Sequence, residues 1–297
     1  MKAMVTGASG FVGQNLCAIL EGGELDVVPA IRKPIDATTE WADQLSDVDV
    51  VIHLAARVHV MNSGDAGDLA SFREINVEGT RNLAKQAAQS GVKRFVFLSS
   101  IKVNGERTHQ KPFSADQECG PEDAYAISKL EAEVTLREIE QETNMEVVII
   151  RPPLVYGPGV KGNLATLVSM IKKGIPLPLG AVNNRRDLVS IYNLCDLIRV
   201  CCLHSEAAGK TFLVSDGESI STAELVRYLA NGLGRKARLF FVPIQVLKLA
   251  ARIFGKSVEL EKLTCNLQID ISLTQQVLDW KPPFTVAESF RKMFAEE

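Results

Sequence analysis

Residues 4–13 read Met-Val-Thr-Gly-Ala-Ser-Gly-Phe-Val-Gly, and the apolar run Phe11 to Leu20 follows at once. The pattern predicts a short strand, a glycine turn and a helix. Gly7, Gly10 and Gly13 fall at the turn and at the helix start. Each supplies space: one for a tight turn, one for backbone N–H groups to approach a pyrophosphate, one for close packing of helix on strand. The Gly-x-x-Gly-x-x-Gly spacing is one residue longer in its first interval than the commoner Gly-x-Gly-x-x-Gly. The strand before it and the alternation after it favour a dinucleotide site over a bare loop.

Working outward, Asp26 to Ile31 reads as a second strand whose end meets an adenosine ribose. An acid there would hold the 2′-hydroxyl of NAD, and a cation suits the 2′-phosphate of NADP. The chain offers Arg32 and Lys33, which tilts the expectation toward NADP. Pro34 to Val48 is short and polar, so a third strand is expected to be absent or rudimentary. Asp49 to Leu54 is a further strand, and Ala55-Ala56 at its end leaves room for a cofactor near the backbone. Leu69 to Ser90 carries helical periodicity and stops at Gly91; Gly79 within it predicts close approach of another element. Val92 to Ser99, the helix Asp123 to Glu142 and the strand Glu146 to Arg151 continue the alternation. Strands and helices at this interval predict an α/β fold with a doubly wound parallel sheet, its ligand at the carboxyl ends of the strands.

Beyond Arg151 prolines and glycines thicken, and the helical stretches become short. This predicts a sheet domain over 1–155, with 185–205 returning to it, and a smaller substrate-binding unit from 156–184 and 206–297.

The bulk numbers narrow the function. A chain of 297 residues with 46% apolar residues and a net charge of −3 gives no electrostatic reason to expect nucleic acid. No apolar run reaches the ~18 residues of a membrane span, and no signal peptide precedes the first strand, so the cytoplasm is the expected location. The six cysteines and four histidines are scattered, without metal-ligand spacing. Cys201 and Cys202 read as core residues.

Tyr125 and Lys129 stand four apart on a predicted helix and share a face. A free tyrosine, with a pKa near ~10, is a poor base at neutral pH. Lowering that value to about 7 requires roughly 4 kcal/mol, which a neighbouring lysine cation and a positively charged nicotinamide are expected to supply. Ser100, at the end of a strand, completes the set.

TGASGFVG, HLAA, NVEGT, SSIKVNG, YAISK, RPPLVYGPG and RRDLVSIYNLCDLI together resemble the extended short-chain dehydrogenase/reductases, in the nucleotide-sugar epimerase and reductase branch. The likeness spans nearly the whole chain, including LDWKPPFTVAES near its end. It implies a Rossmann-type domain for NAD or NADP, a C-terminal unit for a nucleotide sugar, and a homodimer packed through the Leu69 and Asp123 helices. By position it makes Tyr125 the acid/base, Lys129 the group that holds the nicotinamide ribose, and Ser100 the hydroxyl that orients the sugar. Gly7, Gly10, Phe11, Val12 and Gly13 fall on the cofactor pyrophosphate. Arg32, Leu54, Ala55, Ala56, Asn76, Ser99 and Pro152 fall on the rest of the cofactor. Lys102, Asn163 and Arg186 fall on the substrate, the last two at its diphosphate.

Dehydratases of this group carry an Asp-Glu pair after the active-site hydroxyl, where this chain has Ile101 and Lys102. Elimination of water therefore lacks its acid and base. The resemblance implies hydride transfer at C4 of a nucleotide-linked hexose, with UDP the expected nucleotide. The reading preferred here is a 4-ketoreductase of a UDP-N-acetyl-6-deoxyhexulose; the alternatives are a UDP-hexose 4-epimerase, a reductase of a free ketone or aldehyde, and a cofactor-binding sensor or scaffold without turnover.

Overall fold

The computed structural model describes residues 1–31, 33–58 and 68–295. Its main sheet is built from β1 (Lys2–Thr6), β2 (Asp26–Pro29), β3 (Val50–His53), β4 (Arg94–Leu98), β5 (Glu146–Arg151) and β8 (Thr211–Leu213) in the order β2-β1-β3-β4-β5-β8. Every pairing is parallel. Parallel strands need crossover helices on both faces, so the inner strands β1, β3, β4 and β5 are buried on both sides and read as near-continuous apolar runs, while the edge strand β2 is largely exposed. Alternate side chains then serve opposite cores. Val5, Ile52, Val96 and Ile150 pack with Leu16 of α1 (Phe11–Leu20) and with Leu194 and Ile198 of α7 (Ile191–Leu203). Met4, Val51, Phe95 and Ile149 pack on the other face, against Leu83 of α4 (Thr80–Gln89) and Leu136 of α5 (Ala124–Glu142). Each such aliphatic side chain contributes about 1.5–3 kcal/mol through burial.

Between β2 and β3 the described residues hold one short helix, α2 (Ala42–Leu45), and no strand, as the polar stretch predicts. The second strand ends at Pro29, two residues before the expected limit. After β1 the chain passes to one side for β2 and then to the other for β3. The carboxyl ends of β1 and β3 therefore flank the point where the strand order reverses, the place for a ligand in such sheets.

The helical run after β3 is α3 (Leu69–Arg73), a π-helical turn (Glu74–Gly79) and α4, without a break. A Cβ on Gly79 would lie 2.8 Å from the Ile35 carbonyl carbon, so the expected close approach is made by the segment after β2.

β6 (Leu154–Tyr156) and β7 (Leu188–Ser190) form a separate parallel pair. α7 then returns to the main sheet, where Arg94 Nη1 donates to the Cys201, Cys202 and His204 carbonyls at 2.9, 3.1 and 2.8 Å and caps the helix end. Cys201 and Cys202 are buried there. The expected domain boundary at 206 needs correction: β8 lies beyond it yet pairs with β5, because Phe212 and Leu213 bury on the core of the main sheet. The smaller unit contains α6 (Gly162–Lys172), α8 (Thr222–Gly232), α9 (Ile244–Ile253), α10 (Ser257–Thr264) and α12 (Val286–Ala295), whereas α11 (Ser272–Leu278) packs through Leu278 on the core of the main sheet beside β8. The core of the smaller unit stacks Phe290 against Tyr156 and Tyr228, at ring-centroid distances of 4.2 and 5.4 Å.

Candidate active site

The glycine turn forms a cradle at the switch point. Gly7 sits at φ +70°, and a Cβ there would lie 2.7 Å from the Ala55 amide nitrogen, at the end of β3. A Cβ on Gly13 would overlap the Gly7 carbonyl. Gly10 is the N-cap of α1 with no side-chain cap, and the first turn of α1 carries no acid. Its orphan N–H groups and the positive end of the helix dipole suit a pyrophosphate. From the cradle a cleft of about 590 Å³ runs past Pro29, Ala30, Ile31 and Lys33 to Trp41. The residues present therefore fit a dinucleotide.

Arg32 lies outside the described residues. Lys33 donates to the Glu40 carbonyl at 2.7 Å and pairs with Asp43 at 2.8 Å, so half of the basic pair expected to meet a 2′-phosphate is engaged within the protein. Leu54 and Ala55 continue from β3, with the Leu54 amide donating to the Thr6 carbonyl at 3.3 Å. Asn76, in the π-helical turn, accepts from the Arg57 amide at 2.8 Å and donates to the Arg57 carbonyl and to Ser128 Oγ at 3.1 and 3.0 Å. It ties the segment after Ala55-Ala56 to α5. π-Helical turns of this kind recur at functional sites.

The chemical groups gather where β4 and β5 end. Ser99 and Ser100 follow β4, and Ser100 caps a 3₁₀ turn (Ile101–Val103). Asp123 caps α5, its Oδ1 accepting from the Ala126 amide at 2.7 Å, and Tyr125 lies in the first turn of that helix. Lys102 links the two segments: its ammonium bonds Asp123 at 2.6 Å and Glu106 at 2.7 Å. Burial works to depress the Lys102 pKa, but these two carboxylates outweigh it and hold the value above the ordinary lysine range. Lys102, expected at the substrate, is a strut in this structure that holds the Ser100 turn against the start of α5.

Tyr125 and Lys129 share a face of α5. The Phe72 ring stands edge-on to Tyr125 with centroids 6.2 Å apart, and Lys129 Nζ lies 4.0 Å from the Phe97 ring centroid. The expected lowering of the tyrosine pKa rests on Lys129 together with a nicotinamide cation; in the protein alone the shift has the opposite sign. Burial, reinforced by Asp123, pushes Tyr125 up to about 12. Burial also pulls Lys129 down to about 7, against the opposing pull of Glu133. Desolvation dominates both groups, and a lysine so depressed is a weak source of positive charge.

Glu133 continues the four-residue spacing of Tyr125 and Lys129. Its carboxylate meets the Arg151 guanidinium through Nε at 3.0 Å and Nη2 at 2.5 Å, and accepts a short hydrogen bond from Ser99 Oγ. Arg151 Nη1 also donates to Asn104 Oδ1 at 3.0 Å. Ser99, expected at the cofactor, thus anchors β4 to α5. The Pro152 carbonyl accepts from the Ile101 amide at 2.9 Å and fixes the Ser100 turn. Sequence reasoning missed Glu133 and Arg151. Their signals were the i, i+4, i+8 series on α5 and a cation ending an otherwise apolar strand. His53, read as a packing residue, is neutral and buried, with a pKa lowered to about 3 by desolvation and Lys129. Its ring joins Thr6 Oγ1 at 2.6 Å to Thr80 Oγ1 at 3.0 Å.

Of the residues expected at a diphosphate, Asn163 is exposed in the first turn of α6. Arg186, just before β7, donates to the Lys262 carbonyl at 2.9 Å and lies 3.0 Å from Cys265 Sγ. It is oriented by the end of α10.

The NAD dependent epimerase/dehydratase family model matches residues 3–215. The chain belongs to this family. It is 48% identical to the UDP-glucose 4-epimerase of Vibrio cholerae, over 97% of this chain and 93% of that protein. Among solved structures, the UDP-glucuronic acid 4-epimerase of Bacillus cereus in complex with NAD superposes with a TM-score of 0.80, at 22% identity, covering 99% of this chain and 95% of that one. RMD from Pseudomonas aeruginosa complexed with NADPH superposes at 0.78, with 24% identity, covering 100% and 99%. The family member is thus an NAD(P)-dependent enzyme whose dinucleotide fold is shared with complexes of either cofactor.

Proposed function

We propose that the protein is a UDP-hexose 4-epimerase, of the UDP-glucose or UDP-N-acetylglucosamine type, that keeps its cofactor through the cycle. The observation that carries this reading is the 48% identity to a UDP-glucose 4-epimerase along almost the full length of both chains. It displaces the 4-ketoreductase preferred from sequence. The engagement of Lys33 by Asp43 supports NAD, because a cation so paired is less available to a 2′-phosphate.

Bound NAD supplies reversible hydride transfer at sugar C4. The protein supplies the rest. Gly7, Gly10 and the open N-terminus of α1 hold the pyrophosphate, and Ser100 orients the C4 oxygen. The Tyr125 phenolate takes the hydroxyl proton as C4 becomes a ketone. The same phenol returns the proton when C4 is reduced from the other face. Tyr125 needs local positive charge to ionise, since burial alone raises its pKa to about 12. The oxidised nicotinamide is the main source of that charge, and Lys129 adds to it in the fraction that stays protonated, since burial lowers its own pKa to about 7. Ile101 and Lys102 stand where the dehydratases of this group carry an acid pair, which favours hydride and proton exchange at one carbon over elimination. Arg186 and Asn163 receive the diphosphate.

Incubating the purified protein with UDP-glucose and UDP-N-acetylglucosamine, and following the C4 epimers by proton NMR, tests the reading. Interconversion without net consumption of added cofactor is expected. Stoichiometric oxidation of NADPH by a 4-keto sugar would instead make the protein a reductase, and silence with cofactor bound would make it a binding protein.

A further inference from the structure

α9 and α10 contain no buried residue at all, although they lie within the folded smaller unit. Helices of ten and eight residues are marginal in water without a packed face. α9 has one such face: Leu247 packs on the core of the smaller unit. Its other face is apolar as well. Val246, Leu249 and Ile253 share that face at helical spacing, and Phe241, Phe254 and Val258 lie close to them in the chain; all six side chains are 53–75% exposed. Monomeric proteins seldom leave a contiguous patch of this kind uncovered.

The charge around the patch identifies the cover. Residues 235–258 contain six cations (Arg235, Lys236, Arg238, Lys248, Arg252 and Lys256) and no acid, in a chain whose acidic residues outnumber its basic ones by 36 to 33; Glu259 and Glu261 follow further along α10, where Glu261 pairs with Arg107. All six cations are exposed, and Lys248 and Arg252 flank the apolar stripe of α9. A second copy of the chain meeting this face about a two-fold axis would set cation against cation. Exposed phenylalanine and aliphatic side chains bordered by lysine and arginine instead match the boundary between acyl chains and anionic headgroups.

We infer that the α9–α10 hairpin docks the protein on an anionic lipid bilayer surface, its apolar stripe lying in the interface without crossing it. No helix among the described residues is long and apolar enough to cross a membrane, so the contact is peripheral. The hairpin is moored next to the candidate site, since the Lys262 carbonyl of α10 holds Arg186 and the Leu263 carbonyl accepts from Thr222 Oγ1 at 2.6 Å. Docking would therefore bring the diphosphate end of the site close to the membrane. The inference stands whatever the sugar substrate.

Co-sedimentation of the full chain with vesicles tests it. At low salt, binding is expected to vesicles of equimolar phosphatidylcholine and phosphatidylglycerol, and at least about tenfold weaker binding to phosphatidylcholine alone. Raised salt should weaken it. The double variants Leu249→Glu/Ile253→Glu and Lys248→Glu/Arg252→Glu should each lose binding, with circular dichroism unchanged because these side chains are exposed. Failure of the unaltered protein to sediment with the anionic vesicles would overturn the inference, as would equal binding by the variants. It would also be overturned if light scattering showed a dimer that the variants dissociate, with no vesicle binding.

Discussion

Glu133 and Arg151 form a buried bidentate ion pair one helical turn beyond Lys129, with side chains only 5% and 6% exposed. The pair joins the middle of α5 to the end of β5, and Ser99 brings in the end of β4. Three elements that carry the site are thus held by one carboxylate. Removing one partner of such a pair leaves an uncompensated buried charge, whereas replacing both with apolar groups is often neutral. Glu133→Ala is expected to cost about 3–5 kcal/mol of stability. The Glu133→Leu/Arg151→Met double variant should recover most of that loss, and urea denaturation of the single and double variants checks it.

Tyr125→Phe should lower turnover by about 10²–10⁴-fold, the usual worth of a positioned acid/base, while leaving NAD affinity near normal. Turnover and cofactor titration on the same preparation separate the two effects. An unchanged rate would remove Tyr125 from the chemistry.

With the Tyr125 pKa near 12 in the protein alone, tyrosinate should be absent at pH 9. Adding NAD should bring it into view in ultraviolet difference spectra, and adding NADH should not, because only the oxidised ring is cationic. The Tyr125→Phe variant should give no such signal.

Lys129 makes stability depend on pH. The unfolded lysine keeps its proton to about 10.5 and the folded one only to about 7, so between these values the unfolded state binds more protons. Stability contributed by this group should therefore rise as pH increases from about 7 to about 10.5. Lys129→Met should flatten that rise, measured as denaturation midpoints across the range.

Gly7→Ala should abolish cofactor binding and destabilise the fold, because its Cβ would meet the Ala55 backbone at 2.7 Å. Gly22→Ala, at a similar φ of +74° but with nothing within 4 Å, should cost only about 1–2 kcal/mol and keep the cofactor. Melting temperatures and NAD titration of both variants distinguish a crowded left-handed position from an open one.

The sheet and its cofactor cradle were legible because their signals are local. Apolar runs, a glycine triplet and the stop at Gly91 each act within a few residues. Gly79 was legible for the same reason, since a glycine inside a helix already implies a neighbour, here Ile35. The roles of Lys102 and Ser99 were not legible, because they depend on which carboxylates the fold brings to them: Asp123 and Glu106 for one, Glu133 for the other. The raised Tyr125 pKa of the protein alone was not legible, because proximity to a lysine can be read from spacing whereas depth of burial cannot. Net charge hid the basic segment over 235–258 by averaging it with acids elsewhere. β8 was assigned to the wrong unit because three residues carry too little periodicity to announce a sheet edge.

That edge bears on how the molecule avoids its own kind. A parallel sheet that ends in open strands offers unpaired amides and carbonyls to any neighbouring copy. Here the two borders are closed by different means. On one side β2 has only four residues and ends in Pro29, which has no amide hydrogen to offer. On the other, Thr274 of α11 donates its hydroxyl to the Leu213 carbonyl at 2.6 Å, occupying the acceptor that a foreign strand would seek. A Thr274→Val variant would keep its shape and leave that buried carbonyl without its donor, loosening the clasp by which a helix closes the border.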